Sequence, residues 1–245
     1  MMIKNCPIGK ILNTSTNRCV KIDGKIGKEI IKTITLEKKD NKNKFKYLII
    51  NKPITYNIDE NDVILDPAGL NYMKTNFSGA GFASGSIYKL LSTSKPNSDV
   101  IKYFSQFKNE DYLYEKNKKK LRIAYYTSYN NGNIKIIHAI GPDFRYSYYL
   151  QKIIKSDDLT DLYKLIYKIY KDIYKTFIKE YELNKNLKLR LLPISAGVFI
   201  NNNKDYKLKI FKCLKKIYKE LYSKYKILPV IYFYDKDDYY LFKNI

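Results

Sequence analysis

The stretch Val63–Leu91, VILDPAGLNYMKTNFSGAGFASGSIYKLL, decides how the rest of the chain is interpreted. It begins with the apolar run Val63–Leu65, which has the length and composition of a strand. A loop of small residues, Gly79–Gly85, then leads into an apolar pattern of helical spacing that starts at Ile87. Such a loop lets backbone N–H groups approach a ligand at a helix start, which predicts a phosphate cradle. A tight turn without a ligand would have the same pattern.

The composition is that of a globular protein with an unusual basic surface. The chain has 245 residues, enough for one well-buried domain and a small appendage, and a formal net charge of +22. That charge alone suggests an acidic partner such as nucleic acid. However, only four of the 46 basic residues are arginine, whereas specific base and phosphate readers favour arginine. An AT-rich genome explains the lysine excess better, and nucleic-acid binding through a lysine-rich surface stays an alternative.

Other broad features narrow the class of protein. The chain has no apolar run of about eighteen residues or more, so no membrane span is expected. The N-terminus lacks the apolar core of a secretion signal. Three cysteines are too few for a disulfide scaffold or a structural zinc site, so we expect no metal. A cytosolic, reducing compartment fits best.

Residues 1–32 differ from the rest and are predicted to be a separate segment. They are rich in turn formers and basic residues, and Cys6 and Cys19 frame them. The two thiols could form a disulfide, half of a shared metal site or nothing, and the segment could be a disordered basic tail. The pattern from Cys6 to Lys21, CPIGKILNTSTNRCVK, resembles the two-cysteine adaptor module of large DNA viruses. That resemblance implies a viral source, an attachment role, and a location in the host cytoplasm or the virion.

The remaining chain alternates strand-like and helix-like patterns, and 45–245 is expected to form one domain. An Asn-Gly turn at 130–133 predicts a hairpin, and residues 95–120 are expected to be a polar surface excursion. The predicted strands are Thr33–Leu36, Phe45–Asn51, Val63–Leu65, Leu121–Ser128, Ile134–Ile140, Leu187–Ile194 and Leu228–Tyr234. The predicted helices are Ser86–Ser94, Leu159–Tyr181, Tyr206–Tyr225 and a short closing helix capped from Asp235 onward. This order predicts an α/β fold, a three-layer α/β/α sandwich with a central mixed sheet and a small N-terminal appendage.

The candidate ligand site follows from where the strands end. In open α/β sheets, ligands bind beyond the carboxyl ends of the strands. The loops after Leu65, Ile194 and Tyr234 all leave such ends and are rich in small or turn-forming residues. Three loops of this kind at one sheet edge support a binding cleft more strongly than the glycine loop alone.

Several sequence blocks in this order resemble the macro domain, an α/β module that binds ADP-ribose. The blocks are VILDPAG (63–69), SGAGFASGSIY (78–88), IKIIHAIGPDF (134–144), LLPISAGVF (191–199) and VIYFYDK (230–236). The third and fourth match the family pattern most closely, and the resemblance covers about residues 45–245. It implies a macro-domain-like fold and binding of ADP-ribose or mono-ADP-ribosylated proteins, with ADP-ribose as ligand and no cofactor.

The resemblance also implies which residues contact the ligand. The glycine loop would hold the diphosphate and distal ribose, the loop from Ser195 would close over the phosphates, and an aromatic ring would stack on adenine. Packing within the sheet is the alternative for that ring, Tyr234. The implied ligand-binding residues are Gly79, Ala80, Gly81, Phe82, Ser84, Gly85, Ser195, Ala196, Gly197, Val198, Phe199, Tyr234 and Asp235.

Hydrolysis is doubtful because the residues that the family uses for it are replaced. Gly69 stands where the resemblance expects a catalytic asparagine, and Ser84 (or Ala83) where it expects an aspartate. Glycine offers no side chain, and serine is a poor base unless it is activated. The catalytic residues therefore stay unknown, and an ADP-ribosyl hydrolase that counters host ADP-ribosylation is the alternative. His138, the only histidine, is expected to be a buried, hydrogen-bonded strand residue.

The adenine-reading acid of the family also has no counterpart at Pro53–Thr55. Asp59 or Asp62 could replace it, and Asn71 or Asn76 could fold back into the cleft. Spacing decides neither possibility.

Overall fold

The computed structural model divides the chain into two compact units, Met1–Lys46 and Tyr47–Ile245. Several sequence predictions lie outside the residues that it describes, namely Cys6, the strand Thr33–Leu36, and Gly79, Ala80, Gly81 and Asn76. The described residues are 10–13, 18–21, 24, 26, 28, 46–74, 82–93, 96–109, 114 and 122–245.

The described part of the first unit contains a two-stranded antiparallel hairpin. Strand β1 (Lys10–Asn13) pairs with β2 (Arg18–Lys21), and Leu12 lies opposite Cys19. Cys19 is disulfide-bonded, and neighbouring Val20 is half-buried.

The second unit is built on a six-stranded mixed sheet. The strands are β3 (Leu48–Ile50), β4 (Asp62–Asp66), β5 (Ala124–Tyr129), β6 (Ile134–Ala139), β7 (Lys188–Leu191) and β8 (Val230–Tyr232). They lie in the order β3-β8-β7-β4-β6-β5, parallel except for β5, which is antiparallel to β6. Strand β4, which comes before the glycine loop in the quoted stretch, is buried along its whole length, as expected for a central parallel strand.

The predicted Asn-Gly hairpin is confirmed between β5 and β6. Tyr129 pairs with Ile134, and Asn130, Asn131 and Gly132 between them have φ values of 51°, 56° and 92°. Asparagine and glycine tolerate this left-handed region better than other residues, so the local sequence sets the turn.

The described part of this unit contains seven helices. They are α1 (Leu70–Lys74), α2 (Phe82–Leu90), α3 (Ser98–Ser105), α4 (Tyr148–Lys155), α5 (Thr160–Leu183), α6 (Lys204–Tyr225) and α7 (Lys236–Asn244). Helix α5 packs on α6 and on strands β5 and β6, while α1 contacts α3, α2 contacts β4, and α3 contacts β5. The unit is therefore the predicted three-layer α/β sandwich. None of these helices combines the length and apolar character that crossing a bilayer requires.

The two long helices bury the faces that their 3.6-residue period predicts. In α6 the thiol of Cys213 is also buried, as expected for a packed side chain. The buried predicted positions are Leu162, Ile166, Ile169, Ile173 and Phe177 in α5, and Ile210, Leu214, Ile217 and Leu221 in α6.

The prediction of a polar surface excursion over 95–120 is wrong for its first part. Helix α3 begins after Asn97, whose side chain accepts a hydrogen bond from the Val100 amide at 3.1 Å. Val100, Phe104 and Phe107 are fully buried. Their helical spacing was visible in the sequence, but the polar residues between them and the lysines that follow obscured it.

Helix α2 also begins earlier than predicted, at Phe82 rather than Ser86. Ser84 and Gly85, expected in the glycine loop, therefore lie in the first turns of the helix. The first four N–H groups of a helix have no partner within it, so the end of the small-residue segment carries amides that no intrahelical carbonyl satisfies.

Candidate functional site at the carboxyl edge of the sheet

The parallel strands of the sheet end at one edge, and three of them, β4, β7 and β8, are followed by the loops from which the sequence predicts a binding cleft. The central strands β4 and β7 lie between β6 on one side and β8 on the other. Asp66 ends β4, and the loops that start after β6, β7 and β8 carry Gly141, Ser195 and Tyr234. The tertiary structure thus brings the described predicted site residues to the same edge.

Backbone hydrogen bonds join three of these loops. The Gly141 amide donates to the carbonyl of Ala68 at 3.2 Å, and the Phe144 amide donates to the carbonyl of Phe199 at 3.0 Å. The loops after β4, β6 and β7 therefore form one connected surface, and a shift in one of them disturbs the others.

The ring of Phe199 lies against two glycines. A Cβ atom at Gly69 would lie 3.3 Å from the Phe199 ring, and a Cβ at Gly141 would lie 3.3 Å from it as well. The Arg145 guanidinium stands 5.5 Å from the centre of that ring and is held by two hydrogen bonds to Asp143, at 2.8 and 2.6 Å. This pairing raises the pKa of Arg145 further above its ordinary value. Gly69 thus makes room for an aromatic ring where the resemblance expected a catalytic side chain.

Helix α5 holds the backbone that leads into the second small-residue loop, Ser195–Phe199. The Tyr170 hydroxyl donates to the carbonyl of Leu192 at 2.6 Å and accepts from the Ile194 amide at 3.0 Å. Burial raises the pKa of Tyr170, so its phenol remains a donor at neutral pH. These two bonds fix the backbone directly before Ser195.

The loop has a residue of left-handed conformation at Ser195 and open space beside Gly197. Ser195 has φ +62°, is buried, and its Oγ has no hydrogen-bond partner among the described residues. A Cβ atom at Gly197 would meet only the Asn202 side-chain oxygen, at an ordinary 3.9 Å. A short 3-10 helix, Val198–Ile200, follows, so backbone amides begin a new helical turn here.

On the other side of β4, the start of α2 is tied to Asp66. The Ser84 hydroxyl donates to Asp66 Oδ1 at 2.6 Å, and the Tyr88 hydroxyl donates to Oδ2 at 2.7 Å. His138 Nδ1 lies 2.8 Å from the same Oδ2, and both Asp66 and His138 are fully buried. The expectation of an inward-facing, hydrogen-bonded histidine is confirmed.

This order of groups does not support nucleophilic catalysis by Ser84. The hydroxyl contacts the carboxylate rather than the imidazole, whereas an activated serine needs a base at its oxygen. Ser84 is also only 8% exposed. The Ser84 side chain is therefore not available to a ligand, and only its backbone could serve the predicted contact.

Tyr234 lies beyond the end of β8 and reaches α2. Its hydroxyl is hydrogen-bonded to Ser86, and the residue is 42% exposed. Partial burial raises its pKa, so the phenol stays neutral at physiological pH. Because Tyr234 is half-exposed and lies outside the strand, its ring is not buried within the sheet, which was the alternative that the sequence left open.

The acidic candidates have other partners. Asp235 caps α7 by accepting hydrogen bonds from the amides of Asp237 and Asp238 at 2.7 and 3.0 Å. Asp62 begins β4, at the opposite end from Asp66, and its buried carboxylate pairs with Arg190. Asp59 pairs with Lys188 at 2.8 Å near that same end. Neither Asp59 nor Asp62 therefore lies at the edge where the candidate loops meet.

Several residues that shape this edge were not predicted from the sequence. Asp66, Tyr88 and Tyr170 hold its loops, and Arg145 stands beside the Phe199 ring. Asp66 carried a usable signal, since an acid that directly follows a buried apolar run must find donors. The tyrosines carried none, because their partners lie far away in sequence.

Comparisons with known proteins give similar folds at low sequence identity. No model of a known protein family matches the chain, and no curated protein matches it. A solved structure of an Oceanobacillus iheyensis macrodomain with MES bound aligns over 80% of this chain and 87% of its own, with 17% identity and a TM-score of 0.47. A Trypanosoma brucei macrodomain in complex with ADP aligns over 80% and 66%, with 13% identity and a TM-score of 0.47. At this level of similarity neither a family nor a ligand is transferred to this chain.

Proposed function

We propose that the carboxyl edge of this sheet binds ADP-ribose, free or attached to a protein. The observation that carries the proposal is the meeting of the described small-residue segments at one edge, where Gly141 and Phe144 join three loops by backbone hydrogen bonds. Backbone amides at two helical starts, those of α2 and of the 3-10 helix at Val198, suit a diphosphate because they supply donors without a bulky side chain.

The two ends of such a ligand have matching partners. Tyr234 offers a half-exposed ring for an adenine base, and the Phe199 ring offers an apolar surface for a ribose. The Arg145 guanidinium beside Phe199 has its charge paired with the Asp143 carboxylate, so the phosphate donors in this proposal are the backbone amides. This combination of aromatic rings and amide donors favours a nucleotide diphosphate over a purely apolar ligand.

Binding without hydrolysis is the form of the proposal that the side chains favour. Gly69 has no side chain to hold a water, and the Ser84 hydroxyl is committed to Asp66. His138 and Asp66 are fully buried, so neither can abstract a proton from a ligand at the surface.

The decisive experiment is calorimetric titration with ADP-ribose of three proteins. The Gly197→Glu variant places a carboxylate in open space within the loop Ser195–Phe199, which we propose to contact the phosphates. The control, Asn186→Glu, adds the same charge to an exposed loop before β7, at the opposite edge of the sheet. We expect wild type and Asn186→Glu to bind alike and Gly197→Glu to lose at least about tenfold in affinity. Absence of heat with wild-type protein at millimolar ligand would defeat the proposal.

The two alternatives are separated by companion measurements. Release of ADP-ribose from a mono-ADP-ribosylated protein that disappears in Gly197→Glu would establish a hydrolase instead of a binder. Binding of a DNA duplex that weakens steeply with salt would favour the nucleic-acid alternative, since the slope reports the phosphates contacted.

We further propose that the first unit attaches the protein to a partner in the virion or the host cytoplasm. Its support is the resemblance of residues 6–21 to a viral adaptor module and the disulfide-bonded Cys19 within the β1–β2 hairpin. Affinity capture with residues 1–46 fused to a neutral carrier, with and without reductant, tests whether the hairpin selects a partner.

A further inference from the structure

Asp66 is a buried carboxylate on which two elements converge. It ends β4, is fully buried, and accepts hydrogen bonds from Ser84, Tyr88 and His138 at 2.6, 2.7 and 2.8 Å within the described part of the chain. An ionised carboxylate without such donors would be very costly to bury. Asp66 can therefore be buried at this position only because these three donors are present.

Two of the three donors come from one face of α2. Ser84 and Tyr88 are four residues apart, one helical turn, so both hydroxyls point to the same side of the helix. Because they bind different oxygens of one carboxylate, they fix both the height and the rotation of the first turn of α2 against β4.

The third donor is held in place from its far side. His138 Nε2 lies 3.0 Å from the Tyr129 hydroxyl, which also accepts from the Asn97 amide at 3.3 Å. In the tautomer with the proton on Nδ1, His138 donates to Asp66 and accepts from the Tyr129 hydroxyl at Nε2, so each side chain of this hydrogen-bond network has a partner. Burial raises the pKa of Tyr129, which keeps it a donor. The imidazole thus presents one N–H to Asp66 in a fixed direction.

We propose that Asp66 is a positioning residue of the ligand site, which docks the first turn of α2 at the carboxyl end of β4 so that the amides of this turn face the ligand. This inference rests on the proposed function, because it assigns how that site is held. Asp66 touches no ligand in it. The carboxylate acts through Ser84 and Tyr88, and His138 orients it from β6.

The same strand supplies a matched control. Asp62 is four residues before Asp66, is also buried, and pairs with Arg190 rather than with α2. Asp62→Asn and Asp66→Asn remove the same charge from the same strand with the same change in shape. Both should lower the melting temperature, so a loss of stability alone does not distinguish them.

The experiment compares wild type, Asp66→Asn and Asp62→Asn by ADP-ribose titration and by hydrogen exchange, well below each melting temperature. We expect Asp66→Asn to weaken binding at least about tenfold, because an amide cannot accept from all three donors. Exchange of the α2 amides should become faster in that variant only. Asp62→Asn should keep its affinity within about twofold of wild type, because distant sites act independently.

Two milder variants keep the test decisive if Asp66→Asn does not fold. Ser84→Ala and Tyr88→Phe each remove one donor, and each should weaken binding by about threefold or more and speed exchange in α2. Wild-type affinity and wild-type exchange in α2 for these variants would overturn the proposal, as would equal affinity losses in Asp66→Asn and Asp62→Asn. If wild-type protein does not bind ADP-ribose, the proposed function fails, and the exchange of α2 alone then decides whether Asp66 docks this helix.

Discussion

Replacing Gly141 by alanine should destabilise the protein by forcing apart the loops after β6 and β7. A Cβ atom at this position would lie 2.8 Å from Ile194 Cγ2, 3.1 Å from Ser195 Oγ and 3.3 Å from the Phe199 ring. All three neighbours belong to the loop that we propose to bind phosphate. Gly141 also donates its amide to Ala68, which limits how far its own backbone can retreat.

The size of the effect follows from these distances. Carbon atoms pack best at about 3.5–4.0 Å, so the Ile194 contact is too short by roughly 1 Å. Ile194 is β-branched and cannot turn its methyl group aside without leaving its preferred rotamer. Overpacking of this kind costs about 1–3 kcal/mol, and three contacts to one loop place Gly141→Ala towards the upper end. At about 2–4 °C for each kcal/mol, the melting temperature should fall by roughly 5–10 °C.

Thermal unfolding of Gly141→Ala beside Gly132→Ala tests this reasoning. A Cβ at Gly132 meets nothing within 4 Å, but its φ of +92° disfavours alanine, so that variant should lose only about 1 kcal/mol. ADP-ribose affinity should fall in Gly141→Ala and stay unchanged in Gly132→Ala. A melting temperature of Gly141→Ala equal to that of wild type would refute the reasoning, because the loop from Ile194 to Phe199 could not then be packed on Gly141.

Three further predictions concern other parts of the second unit. The Arg190→Met variant should lower the free energy of unfolding, measured with denaturant, by about 3 kcal/mol, because it leaves buried Asp62 without its cation. A decrease smaller than the error of the fit would contradict a buried ion pair between Arg190 and Asp62. Tyr234→Phe should keep most of the affinity for ADP-ribose and Tyr234→Ala should lose it, whereas equal affinities would exclude stacking on the base. Burial raises the pKa of Cys213 to about 11, so its thiol should react slowly with a disulfide reagent at pH 8 until denaturant is added. Because the pKa of an unfolded thiol is about 8.5, the free energy of unfolding should fall as the pH rises from there towards 11. The Cys213→Ala variant should lack that part of the pH dependence.

Local sequence predicted the elements whose cause is local. The helical periods of α5 and α6, the Asn-Gly turn between β5 and β6, and the Asp235 cap of α7 all depend on residues within a few positions of each other. Helix α3 was missed because it is short and polar overall, and its anchors became visible only through burial against the sheet.

The candidate site could be predicted only in part, for the same reason. The small-residue loops were recognisable from their composition, and the described ones lie at the expected edge. The residues that hold these loops were not recognisable, because Tyr170 binds the backbone of Leu192 and Ile194 from a different element. Asp59 and Asp62 could be assigned to the opposite end of β4 only when their partners Lys188 and Arg190 were placed.

The amino-acid sequence by itself determined the alternation of strands and helices, the buried character of β4 and the small-residue segments that follow strands. Only the tertiary structure decided that β4 lies between β6 and β7, and that Asp66 meets Ser84, Tyr88 and His138, the last of them 72 residues away. The physical reason is the distance along the chain over which each kind of interaction acts. Periodicity and turn chemistry act between neighbours along the chain, whereas a buried carboxylate finds its donors only after distant segments have packed and excluded water.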